Sequence, residues 1–108
     1  MEEKLIQEEY ELSIWRYLNQ NKVKLAVEFL NEKLKEIQTN MGCSMFEYIK
    51  SLIDKYGEKW AIEEGFHMFN GGMFIRNLLR SNGFHEEYME CENLDYIYVQ
   101  LLELAINK

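Results

Sequence analysis

Apolar side chains recur every three or four residues through much of this 108-residue chain, and this period limits the fold more than any other feature. Such spacing places side chains on one face of an α-helix. Proline, which would break a helix, is absent. No alternating strand pattern extends over a useful length. The clearest stripe contains Val23, Ala26, Val27, Leu30, Leu34 and Ile37. The sequence therefore predicts an all-α fold.

We expect a single α-helical domain over residues 1–108, built as a compact bundle of about five to six short helices. The predicted helices cover approximately residues 2–18, 22–39, 45–56, 58–69, 73–81 and 93–106. Residues 84–92 are expected to be irregular or to form a single turn. Asn21 is the expected N-cap of the second helix. Ser44 and Glu47 fit a capping box at the third helix, which Gly57 should end.

Two adjacent glycines, Gly71 and Gly72, lie in the most apolar part of the chain. Glycine costs roughly 1 kcal/mol in a helix interior. The pair therefore predicts either a break with positive φ or a close approach of another helix. Arg76 follows on an apolar helix, and a buried guanidinium requires a partner. Asp95 is the expected partner in a bidentate ion pair; the alternative is an exposed Arg76 that binds a ligand carboxylate or phosphate.

Residues 72–77 read Gly-Met-Phe-Ile-Arg-Asn, with Phe66-His67 before them and Asp95 at the head of a later predicted helix. This pattern resembles a family of small uncharacterised bacterial and phage proteins, which share an aromatic-His step, a G-M-aromatic-I-R-N core and a later Asp that opens a helix. The resemblance covers roughly residues 60–106. It implies a shared fold and supplies no activity, because none is established for that family.

The candidate metal ligands are few. Glu64 and His67 form an E-x-x-H motif on one predicted helix face, whereas carboxylate-bridged di-iron bundles use two such motifs and two further glutamates. His85 has no glutamate three residues before it. We expect His67 to pack at a helix end, and we expect no cofactor. A metal-binding or enzymatic bundle that uses Glu64, His67 and His85 is the alternative function, and stoichiometric metal in purified protein would favour it.

Neither cysteine predicts a reactive site. Cys43 precedes the predicted N-cap Ser44, and a helix N-terminus can activate a thiol, but the sequence places no base beside it. Cys43 and Cys91 lack C-x-x-C or zinc spacing, so two free thiols in a reducing compartment are expected. The residues Met1-Glu2-Glu3-Lys4 lack the basic start and apolar run expected of a signal peptide, and no apolar run approaches the roughly 20 residues of a membrane helix. We therefore expect a cytoplasmic protein without catalytic activity and without a membrane partner.

The acidic charge indicates the kind of partner. The formal net charge is −7, and residues 84–108 contain six acidic side chains against the single Lys108. This balance disfavours direct nucleic acid binding and favours a protein with a basic surface. The candidate partner-binding residues are Phe84, Glu86, Glu87, Tyr88, Glu90 and Glu92. Two alternatives stay open: the two aromatic residues only seal the bundle end, and the charge only maintains solubility.

The predicted function is non-catalytic protein–protein interaction. Its most specific form is an inhibitor or immunity-type protein, in a phage or bacterial defence context, that binds a basic, nucleic-acid-handling protein. The seven tyrosines and six methionines are more than a core of this size needs to bury. Exposed tyrosine or methionine side chains would suit an interface. A homodimer is therefore a further possibility.

Overall fold

A computed structural model describes residues 18–62, 66 and 71–108 of the protein. This part of the chain is all-α, as predicted, and its only β-structure is one isolated bridge. The helices are α1 (Gln20–Glu36), α2 (Met45–Tyr56), α3 (Gly71–Ser81), α4 (Glu86–Met89) and α5 (Tyr98–Ile106), with 3-10 helices at Gly57–Lys59 and Leu94–Tyr96. The radius of gyration is 13.6 Å, and compact domains of this size have values of about 13 Å. The prediction of a compact helical bundle is confirmed.

Helices α1 and α5 form the centre of the bundle. They pack extensively against each other, α2 packs on α1, and α3 contacts α5. The stripe predicted for α1 is its buried face, except that Ile37 lies beyond the helix and is half-buried. The largest fully buried side chains are Trp60, Tyr98, Phe66, Leu30, Leu34, Ile49, Ile75, Leu79, Met89, Leu94, Ile97 and Leu101. Because burial of a large apolar side chain contributes about 1.5–3 kcal/mol, these contacts dominate the stability of the fold.

Helix α1 begins earlier and ends earlier than predicted. Asn19, rather than Asn21, is the N-cap, and its side chain accepts hydrogen bonds from the Asn21 and Lys22 amides. At the other end, Ile37 is extended and accepts a 2.8 Å hydrogen bond from the Met45 amide. This bond closes a tight loop between α1 and α2. The backbone groups of residues 37–39 are thus used by the loop, which stops the helix short of residue 39.

The start and end of α2 are as predicted. The Ser44 hydroxyl accepts a 3.1 Å hydrogen bond from the Glu47 amide, and Gly57 ends the helix with a positive φ of 60°. The α-helix predicted at 58–69 is wrong over residues 58–62, which form a 3-10 helix and a turn. Trp60 explains the difference: its ring is buried, and its Nε1 donates a 2.9 Å hydrogen bond to Glu103 Oε1 on α5.

Gly71 and Gly72 begin α3 instead of interrupting a helix. Both are buried and helical, so the predicted positive φ is wrong. The close contact at Gly71 is with a side-chain ring rather than with another helix, because a Cβ atom on Gly71 would overlap the ring of Phe66. That ring is 1% exposed and lies 5.1 Å from the Trp60 ring, centroid to centroid. A glycine at position 71 therefore leaves the space that Phe66 fills.

The helix predicted at 93–106 is divided into two pieces. The Asn93 side chain accepts a hydrogen bond from the Asp95 amide and starts the 3-10 helix Leu94–Tyr96. The backbone leaves helical geometry at Ile97, where φ is −126°, and α5 follows. Residues 84–92 contain the single turn that was predicted, α4. No helix in the described parts of the chain is long and apolar enough to cross a membrane.

Candidate interaction surface

The segment at residues 84–95, here called the acidic segment, is organised around the short helix α4. His85 is its N-cap, and the Nδ1 atom of His85 accepts a 3.1 Å hydrogen bond from the Tyr88 amide. Glu90 ends the helix in the left-handed conformation, with φ 58°, and its amide donates to the carbonyls of Glu86 and Glu87. The segment therefore has a defined backbone, held by its own caps.

Of the three metal candidates, only His85 lies within the described residues. Its Nδ1 atom serves as the cap of α4, and the alternative of a metal site that includes His85 stays a prediction. Glu64 and His67 lie outside the described residues. Within residues 18–62, 66 and 71–108, no three His, Cys, Asp or Glu side chains converge in a way that could hold an ion.

Phe84 and Tyr88 cover the end of the bundle. Both are half-buried and pack against the core. The Phe84 ring lies 5.3 Å from the Phe29 ring of α1 and meets the Tyr88 ring edge-on at 5.7 Å. Met89, the next residue after Tyr88, is buried. This packing fits the alternative in which the two aromatic residues seal the bundle.

Lys22 attaches the acidic segment to the first turn of α1. Its Nζ atom donates a 2.8 Å hydrogen bond to the Tyr88 carbonyl and lies 4.8 Å from the centre of the Tyr88 ring. The same ammonium lies 4.0 Å from Glu90 Oε2. One cation therefore contacts the backbone, a ring and a carboxylate of the segment. The sequence gives no signal for this contact, because Lys22 and Tyr88 are 66 residues apart in the chain.

Glu86 is an internal ion-pair partner, not a free surface carboxylate. Its oxygens accept hydrogen bonds from Arg80 Nε and Arg80 Nη2, the shortest at 2.7 Å, and the Leu94 amide lies 3.4 Å away. The hydrogen bonds from Arg80 hold the pKa of Glu86 at about 2, well below its usual value of 4.5. The same contact raises the pKa of Arg80. The expectation that Glu86 serves a partner is thus weakened by its use within the fold.

Glu87, Glu90 and Glu92 remain exposed. Glu87 lies in the first turn of α4, where a carboxylate is favoured by the helix dipole, and Glu90 and Glu92 follow the helix. The six candidate residues are therefore of three kinds: two aromatic covers, one ion-pair partner and three outward-facing carboxylates. We call Glu87, Glu90 and Glu92 the acidic surface.

Arg76 meets Asp95, with Nε 2.7 Å from Oδ1. The arginine side chain is 14% exposed and the aspartate 39%, and the guanidinium carbon lies 5.2 Å from the centre of the buried Tyr98 ring. Burial raises the pKa of Tyr98 to about 12. The shortest contact of the pair is through Nε, and Nη1 is buried without a hydrogen-bond partner among the described residues.

The two arginines of α3 together hold the acidic segment. Arg76 and Arg80 are four residues apart and lie on one side of the helix, and they pair with Asp95 and Glu86 respectively. The pairing of Arg76 could be predicted from its apolar surroundings. That of Arg80 could not, because its partner lies six residues away across a turn and follows no helical spacing.

The two cysteines are free and half-buried. Cys43 Sγ lies 3.6 Å from the Thr39 hydroxyl oxygen in the loop between α1 and α2. Burial raises the pKa of the Cys91 thiol, which reduces its nucleophilic character at neutral pH. Neither geometry assembles a nucleophile with a base among the described residues.

Comparison with known proteins gives no relative from which a role could be transferred. No family model, curated protein or solved structure matches the chain.

Proposed function

We propose that this protein acts by binding a protein partner with a basic surface, without catalysis, and that the acidic surface Glu87, Glu90 and Glu92 guides that encounter. The supporting observation is that these three carboxylates point outward from a segment whose backbone is fixed by caps and by Lys22. A fixed array of like charges speeds the approach of an oppositely charged protein.

Glu90 carries most of this argument. Its φ of 58° is a left-handed conformation that favours glycine or asparagine, and a glutamate there costs about 1 kcal/mol. Residues in such conformations are found more often at functional sites than elsewhere. Lys22, 4.0 Å away, offsets little of this cost because surface ion pairs contribute little. The left-handed conformation itself serves the end of α4, whereas the presence of an exposed carboxylate there, instead of glycine, supports a role in recognition.

The biological form of this proposal is an inhibitor or immunity-type protein. A small acidic bundle can occupy a basic groove that otherwise receives nucleic acid, because its carboxylates replace phosphates. We place this activity in the cytoplasm, in a phage or bacterial defence context. The net charge of −7 and the outward direction of the acidic surface support a basic target, and they disfavour direct binding of nucleic acid by the protein itself.

The test is association kinetics with a basic partner recovered from the native host. The variant Glu87→Gln/Glu90→Gln/Glu92→Gln should associate about tenfold more slowly at low salt, and its rate should depend less on salt, because steering charge has been removed.

A matched control is Glu32→Gln/Glu36→Gln/Glu58→Gln, which removes three exposed carboxylates elsewhere and changes the net charge equally. It should associate at nearly the wild-type rate. Equal rates for the two variants would show that the acidic surface has no special part in binding. Failure to recover any basic partner would count against the proposed function itself.

A further inference from the structure

His85 caps α4 with a ring nitrogen that accepts a hydrogen bond. The Tyr88 amide donates to His85 Nδ1 at 3.1 Å, and the Met89 amide donates to the His85 carbonyl at 3.0 Å. A ring nitrogen that accepts a hydrogen bond carries no proton, so this geometry belongs to a neutral imidazole with its proton on Nε2. Protonation turns Nδ1 into a donor, which cannot accept from the Tyr88 amide. The cap and the imidazolium form therefore exclude each other.

This cap differs in kind from the other side-chain caps in the described parts of the chain. Asn19, Ser44 and Asn93 accept amide hydrogen bonds through an amide or hydroxyl oxygen. Neither of these groups changes its charge between about pH 5 and pH 8, whereas histidine is the side chain that does so. His85 is also exposed, so its ring can exchange protons with solvent. Among these caps, that of α4 is the one that pH can remove.

Charged side chains from three elements lie at this end of the bundle. They are Lys22 of α1, Arg80 of α3, and Glu86, Glu87, Glu90 and Glu92 of the acidic segment. Both cations are already paired, Lys22 with Glu90 at 4.0 Å and Arg80 with Glu86 at 2.7 Å. Glu87 is exposed and lies two residues after His85, in the first turn of α4. The carboxylates favour an imidazolium, whereas the capping hydrogen bond favours the neutral ring. The two effects oppose each other, so the form of the ring depends on pH.

Tyr88 connects this cap to the rest of the bundle. Its amide donates to His85, and its carbonyl accepts a 2.8 Å hydrogen bond from Lys22 Nζ. Its ring meets the Phe84 ring edge-on at 5.7 Å. The residue that loses its hydrogen bond when His85 is protonated is therefore the residue through which α1 holds the acidic segment.

We propose that His85 is a pH-sensitive switch for the first turn of α4. The neutral imidazole binds the Tyr88 amide and leaves the acidic surface its full negative charge. The imidazolium, which forms as the pH falls from about 8 toward about 5, releases that amide and adds a positive charge two residues from Glu87. Because steering depends on the charge of a surface, the encounter with a basic protein is slower in this form. The slower encounter rests on the proposed function, whereas the change at the cap does not.

The experiment is a nuclear magnetic resonance titration of the nitrogen-labelled full chain, without any partner, between about pH 8 and about pH 5. At the upper end, His85 should carry its proton on Nε2 and none on Nδ1. At the lower end, both ring nitrogens should be protonated, and the Tyr88 amide proton should move upfield along the same curve because it loses its acceptor. A proton on Nδ1 at the upper end, or a Tyr88 amide that does not follow the ring, would overturn the proposal.

His85→Asn is the informative variant and His67→Gln its control. Asparagine is a preferred N-cap and does not titrate in this range, so the Tyr88 amide of His85→Asn should keep one position throughout. His67 is the other histidine of the chain, and its replacement should leave the response of the Tyr88 amide as in the wild type. If that response persists in His85→Asn, or disappears in His67→Gln, a group other than His85 controls the amide and the proposal is wrong.

Discussion

Two regions of this bundle are held together by different forces. Helices α1 and α5 meet through apolar side chains, and Leu30, Leu101 and Ala105 are fully buried there. On the other side, α3 holds the segment 86–95 through the pairs Arg76–Asp95 and Arg80–Glu86. The first region depends on removing surface from water. The second depends on charges that solvent partly reaches.

Because of this difference, the two regions should respond differently to pH and to salt. Apolar burial depends little on pH or salt, whereas ion pairs weaken when a carboxylate is protonated or when salt screens it. The segment that carries the acidic surface is thus attached by ion pairs, whose strength depends on pH and salt. Substitutions in the two regions should therefore differ in their size and in their dependence on solution conditions.

The largest effect should come from the apolar region. Leu30→Ala removes a side chain that is fully buried between α1 and its neighbours, and it should lower the free energy of unfolding by about 3–5 kcal/mol. Chemical denaturation at low and high salt should give the same loss. Leu25→Ala, on the exposed face of the same helix, should change stability by less than about 0.5 kcal/mol.

Asp95→Ala should have the next largest effect. It leaves the Arg76 guanidinium, 14% exposed, without its carboxylate, and the expected loss is about 2–3 kcal/mol, below that of a fully buried pair. Arg76→Ala should cost a similar amount because its packing on Tyr98 is also lost. The double variant should lose much less than the sum. Additive losses, measured by denaturation of all four proteins, would show that the pair contributes no coupling.

Gly71→Ala tests packing at the start of α3. In a helix with open space around it, alanine is favoured over glycine by about 1 kcal/mol. Here the new Cβ would overlap the buried Phe66 ring, so we expect a loss of about 1–3 kcal/mol. The sign of the stability change shows whether helix propensity or the overlap with Phe66 is the larger effect. A thermal midpoint above that of the wild type would mean that Phe66 can move aside.

Glu86→Gln should cost about 1 kcal/mol at neutral pH, because the pair with Arg80 is partly exposed. The pKa of Glu86 is about 2 in the folded protein, against a usual 4.5. Its contribution is therefore complete above pH 4.5 and is lost as the pH falls toward 2. The stability difference between wild type and variant, followed by denaturation across this range, should shrink with acidity. A difference independent of pH would exclude the ionised pair as its source.

The smallest effect should come from the acidic surface. Glu87→Gln/Glu90→Gln/Glu92→Gln should change stability by less than about 0.5 kcal/mol, since these carboxylates are exposed. Glu90→Gly should raise the thermal midpoint slightly, because glycine adopts the left-handed conformation without strain. Adding Glu86→Gln to the triple variant should bring in the loss expected for the Arg80 pair. A large loss of stability in the triple variant alone would mean that these three carboxylates also hold the segment in place.

The apolar region could be predicted from sequence because its signal is periodic. The predicted stripe on α1 is its buried face. Ser44 and Gly57 occupy cap positions, for which helices have clear residue preferences. The 3-10 turn at Trp60 could not be predicted, since a distant hydrogen bond to Glu103 decides it. Asn19 and Asn21 are equally good caps by residue type, so local sequence does not choose between them.

The candidate surface was only partly predictable for a related reason. Composition identified residues 84–92 as acidic, but it could not distinguish carboxylates that face solvent from one that pairs with Arg80. It also could not show that Phe84 stacks near Phe29. These distinctions depend on which helices become neighbours, and that is a property of the whole fold.

The packing of α1 against α5 has a consequence for synthesis of the chain. The Asn31 side chain donates a 2.8 Å hydrogen bond to the Ala105 carbonyl, 74 residues later. At about 5–20 residues per second, α1 waits roughly 4–15 s on the ribosome before its principal neighbour is made. During that interval its apolar stripe has no α5 to cover it. Because most helical stability in proteins comes from tertiary packing, we expect α1 to reach its full stability only once α5 is available.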